Sequence, residues 1–595
     1  MTPIPLHHGV IGNGRVLALV APDTSIDWLC LPRFDSPSVF ARLLDQEHGG
    51  SFAFCCVEGF KTSQAYVRNT NVLRTEVHVD GGRFEVFDFA PRIPQGLTID
   101  APVELCRMIR PLEGSPRTAL KFDPRPDYGR AQIEMIPSGQ GLEIMGGPTH
   151  LYLWSNISPQ YIQDGSPFRI DRPLFLSLSA GKPPVIESAP EAETALQQTI
   201  RGWRAWAKTC HLPSFADAAV LRSALCLKLH AFVDTGAIVA ATTTSIPEAI
   251  GSGRTWDYRY CWLRDAAFVV EALRRLSHLA EGESFVRFLR DMADSGPLQP
   301  VYGITGERQL DEQSLTNLSG YDGIGPVRIG NAAYVQTQHD VTGELVLCLE
   351  TILRDPRVVW EDPSLAPLVE RLVNEAITAS TTTDTGLWEY RTIPKHYTFS
   401  KAMCWVAVHR AAMLAPTLGL EDRVPEWTAW ADAERVRIVE HAYNPQVGYF
   451  TQILDGDKPD ASNLLLPTLG LIDATDPRFV STVRAYEKLL VENGMMLRYR
   501  HLDDFGATTS AFSICSFWWV EALAMMGEVD NAVELFNHLY KFANPLGLFS
   551  EDIDPTTGQL LGNFPQAYTH VGIINAAITI GEILDARHGT FRAWA

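Results

Sequence analysis

Residues 264–279 read RDAAFVVEALRRLSHL, and their apolar side chains recur every three to four positions. This period places the apolar side chains along one face of a helix. About ten further segments with the same pattern follow residue 215 or so, which predicts a second half of the chain built from helices. These segments are 215–233, 282–295, 341–354, 364–379, 400–414, 428–443, 481–494, 511–527, 529–544 and 570–587.

About eleven or twelve helices in about 380 residues, with no strand pattern between them, can pack as an open solenoid or as a closed toroid of inner and outer helices. No fixed repeat of about 34 or 40 residues is visible, which argues against a solenoid. The loops between the helices are long and rich in Gly, Trp, Tyr and charged residues, where functional residues concentrate. We therefore predict a closed helical toroid.

The first part of the chain has a different pattern. Short alternating segments such as RVLALVA (15–21) and RFEVFDFA (83–90) are separated by Gly, Pro, Asn and Asp. Many short strands at this spacing are typical of a sandwich or a large antiparallel assembly. We predict an N-terminal antiparallel β-sandwich at 1–190, a linker at 191–214 and the helical domain at 215–595.

Charge and cysteine usage restrict the class of partner and the compartment. The 595 residues include 50 Lys and Arg against 70 Asp and Glu, a formal charge of −20. Because such a chain repels phosphate backbones and anionic lipid, we expect no nucleic-acid or membrane partner. Ten scattered cysteines without a CxxC pair predict free thiols in a reducing compartment. With no signal-peptide pattern at the start, we expect a cytoplasmic protein; a homo-oligomer stays open.

Motif searches reveal no HExxH, P-loop, nucleophile elbow or dinucleotide fingerprint, so we predict no metal and no cofactor. Three loops instead combine acids with aromatic residues: 254–265, 385–391 and 547–554. An acid beside a tryptophan, as at Trp388–Glu389, is a candidate general acid, because desolvation favours the protonated form. Taken singly, Asp265 could be a helix cap and SEDID (550–554) a solvated turn.

Together these loops resemble glycoside hydrolase family 15, the glucoamylase-like and trehalase-like enzymes. The resemblance covers essentially the whole chain in the right order, and it implies an (α/α)6 barrel for the helical toroid. The N-terminal segment 11–45 is similar to the β domain of the bacterial trehalase-like branch. The segments that carry the resemblance in the helical half are 255–268, 318–344, 384–411 and 546–577.

The resemblance implies a pair of catalytic carboxyl groups. Glu389 would be the general acid that protonates the glycosidic oxygen, and Glu551 the general base that activates a water on the opposite face of the sugar. The family inverts the anomeric configuration, so the two carboxyl groups should lie about 6.5–9.5 Å apart to leave room for that water. One must hold a proton while the other is ionised, which requires different surroundings.

The resemblance also implies a sugar subsite. Arg264 and Asp265 would hold hydroxyl groups of the sugar at the non-reducing end. Further residues expected to line that subsite or to lie close to it are Trp388, Tyr258, Trp256, Tyr334 and Gln338. The chain departs from many relatives at 503–510, where DDFGATTS replaces a glutamate-containing stretch. We expect this loop to face the pocket and to influence substrate preference.

The expected activity is inverting, exo-acting hydrolysis of a small soluble α-glucoside. Trehalose is the expected substrate because of the N-terminal resemblance; maltose, isomaltose or short α-glucans are the alternative. Two minor alternatives are a phosphorylase, in which bound phosphate replaces base and water, and a non-catalytic sugar-binding toroid. The presence of both Glu389 and Glu551 argues against these two.

Overall fold

The computed structural model describes residues 5–55, 60–96, 98–139, 141–358, 362–587 and 589. Two antiparallel sheets formed by the N-terminal part of the chain precede a ring of helices. The predicted β-sandwich followed by an (α/α)6 barrel is therefore confirmed.

Two sheets form the sandwich, and apolar side chains from both meet between them, such as Phe52 from the first and Val86 from the second. Ser38–Phe40 pairs with Ile26–Cys30 at the side of the first sheet. The first sheet has the order Gly9–Gly12, Leu17–Val20, Ile26–Cys30, Ser51–Cys55, Arg117–Asp123 and Phe168–Arg169. The second has the order Glu134–Ser138, Gly141–Met145, Leu151–Ser155, Leu174–Ala180, Glu104–Gly114, Gly82–Phe89, Leu73–Val79 and Lys61–Tyr66.

A helix at Ala189–Lys208 crosses most of the segment predicted as a linker. It begins where the Ser188 side chain accepts a hydrogen bond from the Glu191 amide, an N-cap that satisfies one of the free N–H groups. The helix packs against the second sheet, where Arg110 forms an ion pair with Glu193. Residues 191–208 are thus helical and packed, and the first barrel helix begins at Asp217–His230.

Twelve helices within the described residues form the barrel, and its inner ring closes because the last inner helix contacts the first. Between Leu466–Leu469 and Ser513–Met525 the link is made by the 3₁₀ turn Ala461–Leu465, which contacts both helices. Such closure buries the inner helices on most sides, which explains why several lack a polar face. The inner helices are Leu263–Arg275, Asp340–Leu353, Thr398–Leu414, Leu466–Leu469, Ser513–Met525 and Ala567–Arg587. The outer helices are Asp217–His230, Ala280–Asp294, Leu365–Ala379, Val424–Ala442, Pro477–Leu489 and Val529–Tyr540. The predicted closed toroid is confirmed.

The last inner helix, Ala567–Arg587, is long and apolar enough to cross a membrane by length and composition alone. In this fold 72% of its most apolar window is buried inside the protein. An all-round apolar helix of this kind is what the core of a helical ring requires. The apolar composition is therefore explained by its place in the inner ring.

Short strands occur in the loops between the barrel helices, where the sequence pattern indicated none. Cys261–Trp262 pairs with Val301–Tyr302 just before the helix that carries Arg264, and Asp552–Ile553 follows Glu551 directly. Two-residue strands are too short to produce a visible alternation. The remaining short strands are Gln313–Leu315, Val327–Ile329, Tyr443–Asn444, Tyr449–Phe450, Val491–Glu492, Met495–Met496, Ala511–Phe512 and Leu560–Leu561.

The sandwich supports the loop that precedes the first inner helix. Arg259 of that loop is 1% exposed and is held by an ion pair with Asp257 at 2.6 Å. Its guanidinium also donates to the Tyr128 hydroxyl at 2.7 Å and to the Ser36 carbonyl at 2.8 Å, both in the sandwich. A buried charge with this many partners is costly to displace. The sandwich therefore helps to hold residues 255–262 in place.

The cysteines are free thiols throughout the described residues, and all but Cys55 and Cys210 are buried. Cys56 lies outside the described residues.

Candidate active site

A pocket lies in the barrel where the three acid- and aromatic-bearing loops meet. Seven of the nine site residues expected from the sequence line its wall; they are Glu389, Glu551, Arg264, Asp265, Trp388, Tyr258 and Trp256. Residues that were not expected also line it, among them Trp262, Glu248 and Arg498. The helical ring thus brings distant loops to one concave site, as enzyme pockets require.

Glu389 stands on a turn with an unusual backbone. Its φ is +60°, in the left-handed region that non-glycine residues rarely adopt, and Gly386 in the same turn has φ +68°. The turn is closed by hydrogen bonds from the Glu389 amide to the Gly386 carbonyl at 3.1 Å and from the Tyr390 amide to the Thr385 carbonyl at 3.0 Å. Strain retained in this way is common where a side chain must point into a site.

Three donors hold one oxygen of the Glu389 carboxyl group. Oε1 accepts from the Trp262 indole at 2.6 Å, the Arg264 guanidinium at 3.1 Å and the Gln338 amide at 3.2 Å. The side chain keeps 24% exposure, so the carboxyl group faces the pocket. With Oε1 occupied by donors, Oε2 is the oxygen that can carry a proton toward a ligand.

Glu551 is the more deeply buried of the two carboxyl groups, with 1% exposure. Its Oε1 accepts from the Tyr258 hydroxyl at 2.8 Å, and its Oε2 has no hydrogen-bond partner among the described residues. A Cβ at Gly562 would lie 2.7 Å from the Glu551 Cβ, and Gly562 has φ +71°. Glycine is therefore required at 562 to make room for this carboxyl group.

Burial raises the pKa of Glu551 well above the ordinary carboxyl value, and the nearby carboxylates of Glu248 and Asp552 raise it further. The guanidinium of Arg498 and the hydrogen bond from Tyr258 act in the opposite direction. The pKa of Asp552 is also raised by burial, although the Ser510 hydroxyl donates to it at 2.8 Å. The surroundings of Glu551 therefore favour its protonated form.

Glu248 and Arg498 form a buried ion pair in the pocket wall, with side chains 3% and 8% exposed. The other carboxyl oxygen of Glu248 accepts from the Trp256 indole at 2.7 Å. The ring of Trp256 lies under the guanidinium groups of Arg328 at 4.6 Å and Arg391 at 4.9 Å. Trp256 is therefore fixed from several sides, as a wall that contacts a ligand needs to be.

Arg264 and Asp265 lie side by side in the lining of the pocket. Arg264 donates to Gln338 at 3.0 Å and to Asp340 at 3.3 Å, and its Nε lies 3.5 Å from Asp265. Burial raises the pKa of Asp265 to about 6; Arg264 opposes this shift and Glu389 adds to it. A guanidinium beside a carboxylate offers both donors and acceptors to the hydroxyl groups of a sugar.

Trp388 forms another part of the wall. Its indole donates to Asp460 at 2.8 Å, and its ring meets Phe512 edge to face at 5.7 Å. These contacts fix the residue that precedes Glu389 in the chain.

The two remaining expected residues lie outside the lining of the pocket. Gln338 is 7% exposed and contacts both Arg264 and Glu389, so it supports these two side chains from behind the pocket wall. Tyr334 was expected near the sugar as a weaker candidate; its ring packs beside Trp262, which lines the pocket, and its hydroxyl donates to Asp311 at 2.8 Å. It lies in the short 3₁₀ turn Ala332–Val335, whose Ala333 lines the pocket, and its contact with a sugar stays a prediction.

The loop at 503–510 faces the pocket, as expected. Asp503 accepts from Arg254 and from the Tyr499 hydroxyl, both at 2.5 Å. Asp504 accepts from the Arg391 amide at 2.6 Å and from the Thr392 hydroxyl. The turn is thereby tied to the segment that follows Glu389.

Trp262, Glu248 and Arg498 were missed from the sequence. Trp262 lies inside the quoted segment 255–268, where its position between Tyr258 and Arg264 was the available signal. Glu248 and Arg498 lie 250 residues apart, so no local pattern links them.

Comparisons with known proteins agree with this geometry. The family model "Glycosyl hydrolases family 15" matches residues 214–578, and "Trehalase-like, N-terminal" matches residues 2–165. A trehalase of Mycobacterium tuberculosis is 35% identical, over 96% of this chain and 89% of that protein. A trehalase of Thermoplasma volcanium is 33% identical, over 98% of this chain and 94% of that protein.

A solved structure of a bacterial glucoamylase complexed with acarbose has the same fold. Its TM-score is 0.71 at 15% identity, and the match covers 98% of this chain and 96% of that one. The chain belongs to glycosyl hydrolase family 15 and is a glycoside hydrolase.

Proposed function

We propose that this protein hydrolyses trehalose with inversion, using Glu389 as general acid and Glu551 as general base. The observation that carries this proposal is the pair of carboxyl groups in one pocket, each held through one oxygen while its second oxygen is left for chemistry. Relatives named trehalase, similar along both the sandwich and the barrel, support the choice of substrate.

Glu389 delivers the proton that the departing sugar needs. With Oε1 held by Trp262, Arg264 and Gln338, the proton resides on Oε2 and passes to the glycosidic oxygen as the bond from the anomeric carbon to that oxygen breaks. The departing glucose leaves as a neutral alcohol, and Glu389 is left as a carboxylate.

Glu551 removes a proton from the attacking water. Tyr258 holds Oε1, and Oε2 accepts the proton as the water oxygen bonds to the anomeric carbon from the opposite face. Attack from that face converts an α-linked glucose into β-glucose. The proton gained by Glu551 equals the proton lost by Glu389, so the enzyme returns to its starting state by exchange with solvent.

The concave pocket, with both carboxyl groups in its lining, favours a small substrate attacked at its end. Arg264 and Asp265 bind hydroxyl groups of the sugar at the non-reducing end. Asp503, Asp504 and Phe505 line the wall beside the second sugar. Maltose, isomaltose and short α-glucans are the alternative substrates for the same two carboxyl groups.

Proton NMR on purified enzyme tests the proposal. We expect trehalose, without added phosphate, to yield β-glucose and α-glucose in equal initial amounts. Release of glucose only from maltose or isomaltose would show that these sugars, and not trehalose, are the substrates. Sugar release only in the presence of phosphate would show that the reaction is phosphorolysis and not hydrolysis. Glu389→Gln and Glu551→Gln should each lower kcat by about 10³-fold, whereas Glu534→Gln on the exposed side of an outer helix should not.

α-Glucosyl fluoride separates the two roles, because fluoride departs without a proton. Glu389→Gln should retain much of its activity on this substrate, and Glu551→Gln should lose activity on both. Equal loss on both substrates in the two variants would contradict the assignment.

A further inference from the structure

Two buried carboxyl groups lie on the inner helix Asp340–Leu353, behind the sugar subsite. Asp340 and Glu344 are four positions apart, so their side chains share one face of the helix, and they are 0% and 1% exposed. The carboxyl group of Asp340 is near enough to that of Glu344 to raise its pKa. Neither oxygen of Glu344 has a hydrogen-bond donor among the described residues, and neither does Oδ1 of Asp340.

The number of carboxyl groups around Arg264 indicates that the pair formed by Asp340 and Glu344 retains a proton. One guanidinium is surrounded by the carboxyl groups of Asp265, Asp340, Glu344 and Glu389. Arg264 lies within 3.5 Å of Asp265, Asp340 and Glu389, but no ion pair joins it to Glu344. Because two buried carboxylates close together repel strongly, they retain a proton between them.

The other groups that face the pair do not remove this proton. Asp384 adds a further negative charge near Asp340, and Tyr568 faces the cluster from the last inner helix as a neutral phenol. Burial, followed by the negative charge of Asp340, raises the pKa of Glu344 well above the ordinary value. Because Arg264 donates to Asp340 whereas neither oxygen of Glu344 has a donor among the described residues, Glu344 is the member of the pair that carries the proton.

We propose that Asp340 and Glu344 share one proton, and that the single negative charge left on the pair offsets Arg264 together with Asp265, so that Glu389 can keep the proton it delivers. This inference rests on the proposed role of Glu389 as general acid. Asp340 is a positioning residue, since it acts through Arg264 and does not touch the reacting atoms.

The geometry gives the direction of the effect. One terminal nitrogen of Arg264 lies 3.3 Å from Asp340, and the other lies 3.1 Å from Glu389. If Asp340 lost its charge, Asp265 alone would offset the guanidinium, which would then favour the ionised form of Glu389 more strongly. Activity would then be lost at a lower pH on the alkaline side.

The test compares the pH dependence of kcat/KM for trehalose in three variants of the full-length enzyme. Asp340→Asn removes the charge, and we expect its alkaline limb to move to lower pH by about one pH unit or more. Glu344→Gln replaces a protonated carboxyl by a neutral amide, and its alkaline limb should stay in place. Glu350→Gln, which removes a carboxylate bound to Arg354 on the same helix, is the control.

Two outcomes would overturn the inference: an unmoved alkaline limb in Asp340→Asn, or a shift in Glu344→Gln equal to that of Asp340→Asn. α-Glucosyl fluoride needs no general acid, so with this substrate the alkaline limb of Asp340→Asn should coincide with that of the wild type. A purely structural defect would alter the pH profile with both substrates. If Glu389→Gln remains active on trehalose, the proposed function fails instead.

A spectroscopic measurement keeps the inference testable if Asp340→Asn does not fold. The infrared carbonyl band of a protonated buried carboxyl group should be present in the wild type at neutral pH and weaker in Glu344→Gln. An unchanged band would show that Glu344 is ionised and would overturn the shared proton.

Discussion

The rings of Tyr258 and Trp262 meet edge to face with their centroids 5.3 Å apart, and each donates a hydrogen bond to a different carboxyl group. The Tyr258 hydroxyl reaches Glu551 at 2.8 Å, and the Trp262 indole reaches Glu389 at 2.6 Å. One short segment, supported by the sandwich through Arg259, therefore holds both carboxyl groups. Their relative position therefore depends on this segment as well as on the two loops that carry the acids.

Tyr258→Phe tests the link to Glu551. The hydrogen bond from Tyr258 lowers the pKa of Glu551, so its loss should raise that pKa. Because Glu551 must be ionised, the acidic limb of kcat/KM should move to higher pH, by about one pH unit, with kcat about tenfold lower. Tyr260→Phe, which alters a neighbouring buried tyrosine bound to the Gly330 amide, should leave the acidic limb unmoved. An identical acidic limb in Tyr258→Phe would contradict the role of this bond.

Glu248→Gln should shift the same limb in the opposite direction. After burial, the carboxylate of Glu248 is the largest influence that raises the pKa of Glu551. Without it that pKa falls, Glu551 stays ionised at lower pH, and the acidic limb of kcat/KM moves to lower pH. Glu281→Gln breaks a comparable buried pair with Lys228, 2.6 Å apart and away from the pocket, and is the matched control. A shift to higher pH in Glu248→Gln would refute this electrostatic account.

Gly562→Ala should disturb the base without unfolding the protein. The new Cβ would lie 2.7 Å from the Cβ of Glu551 and 2.9 Å from its Oε2, so the carboxyl group must move. We expect kcat to fall by about 10²-fold. Gly527→Ala has a similar φ, +88°, but open space around its Cβ, and so isolates the backbone cost of about 1 kcal/mol. Chemical denaturation gives the free energy of unfolding of both variants, and kcat is measured on the same preparations. Equal kcat values in the two variants would show that Gly562 has no steric role.

Asp504→Ala should weaken substrate binding more than it slows the chemistry. Asp504 ties the turn of the pocket wall to Arg391 and Thr392, and its loss should loosen the wall beside the second sugar. We expect KM for trehalose to rise by about tenfold and kcat to change little. Asp473→Ala removes a similar set of bonds, to the amide and hydroxyl of Thr475, outside the pocket. A fall in kcat at constant KM would place Asp504 in the chemical step instead.

The architecture and the loops that bear acids could be predicted from the sequence because they depend on local information, whereas the roles of Glu389 and Glu551 came from the family resemblance and stay predictions. A 3.6-residue period sustained over a whole helix, such as Leu263–Arg275, reports the face that must be buried. Alternation in strands such as Leu73–Val79 does the same for the sandwich. The loops that carry Glu389 and Glu551 stood out because acids and aromatic residues occur there together within a few positions.

Ring closure decided the rest, because it places side chains together that are far apart in the chain. Tyr258 and Glu551 are separated by 293 positions and Glu248 and Arg498 by 250, and no local period relates them. Protonation states followed from the same closure, since the charge of a carboxyl group depends on burial and on neighbours supplied by other elements. The sequence by itself determined which segments fold and which loops bear acids; the tertiary structure alone decided which acids meet and which can lose a proton.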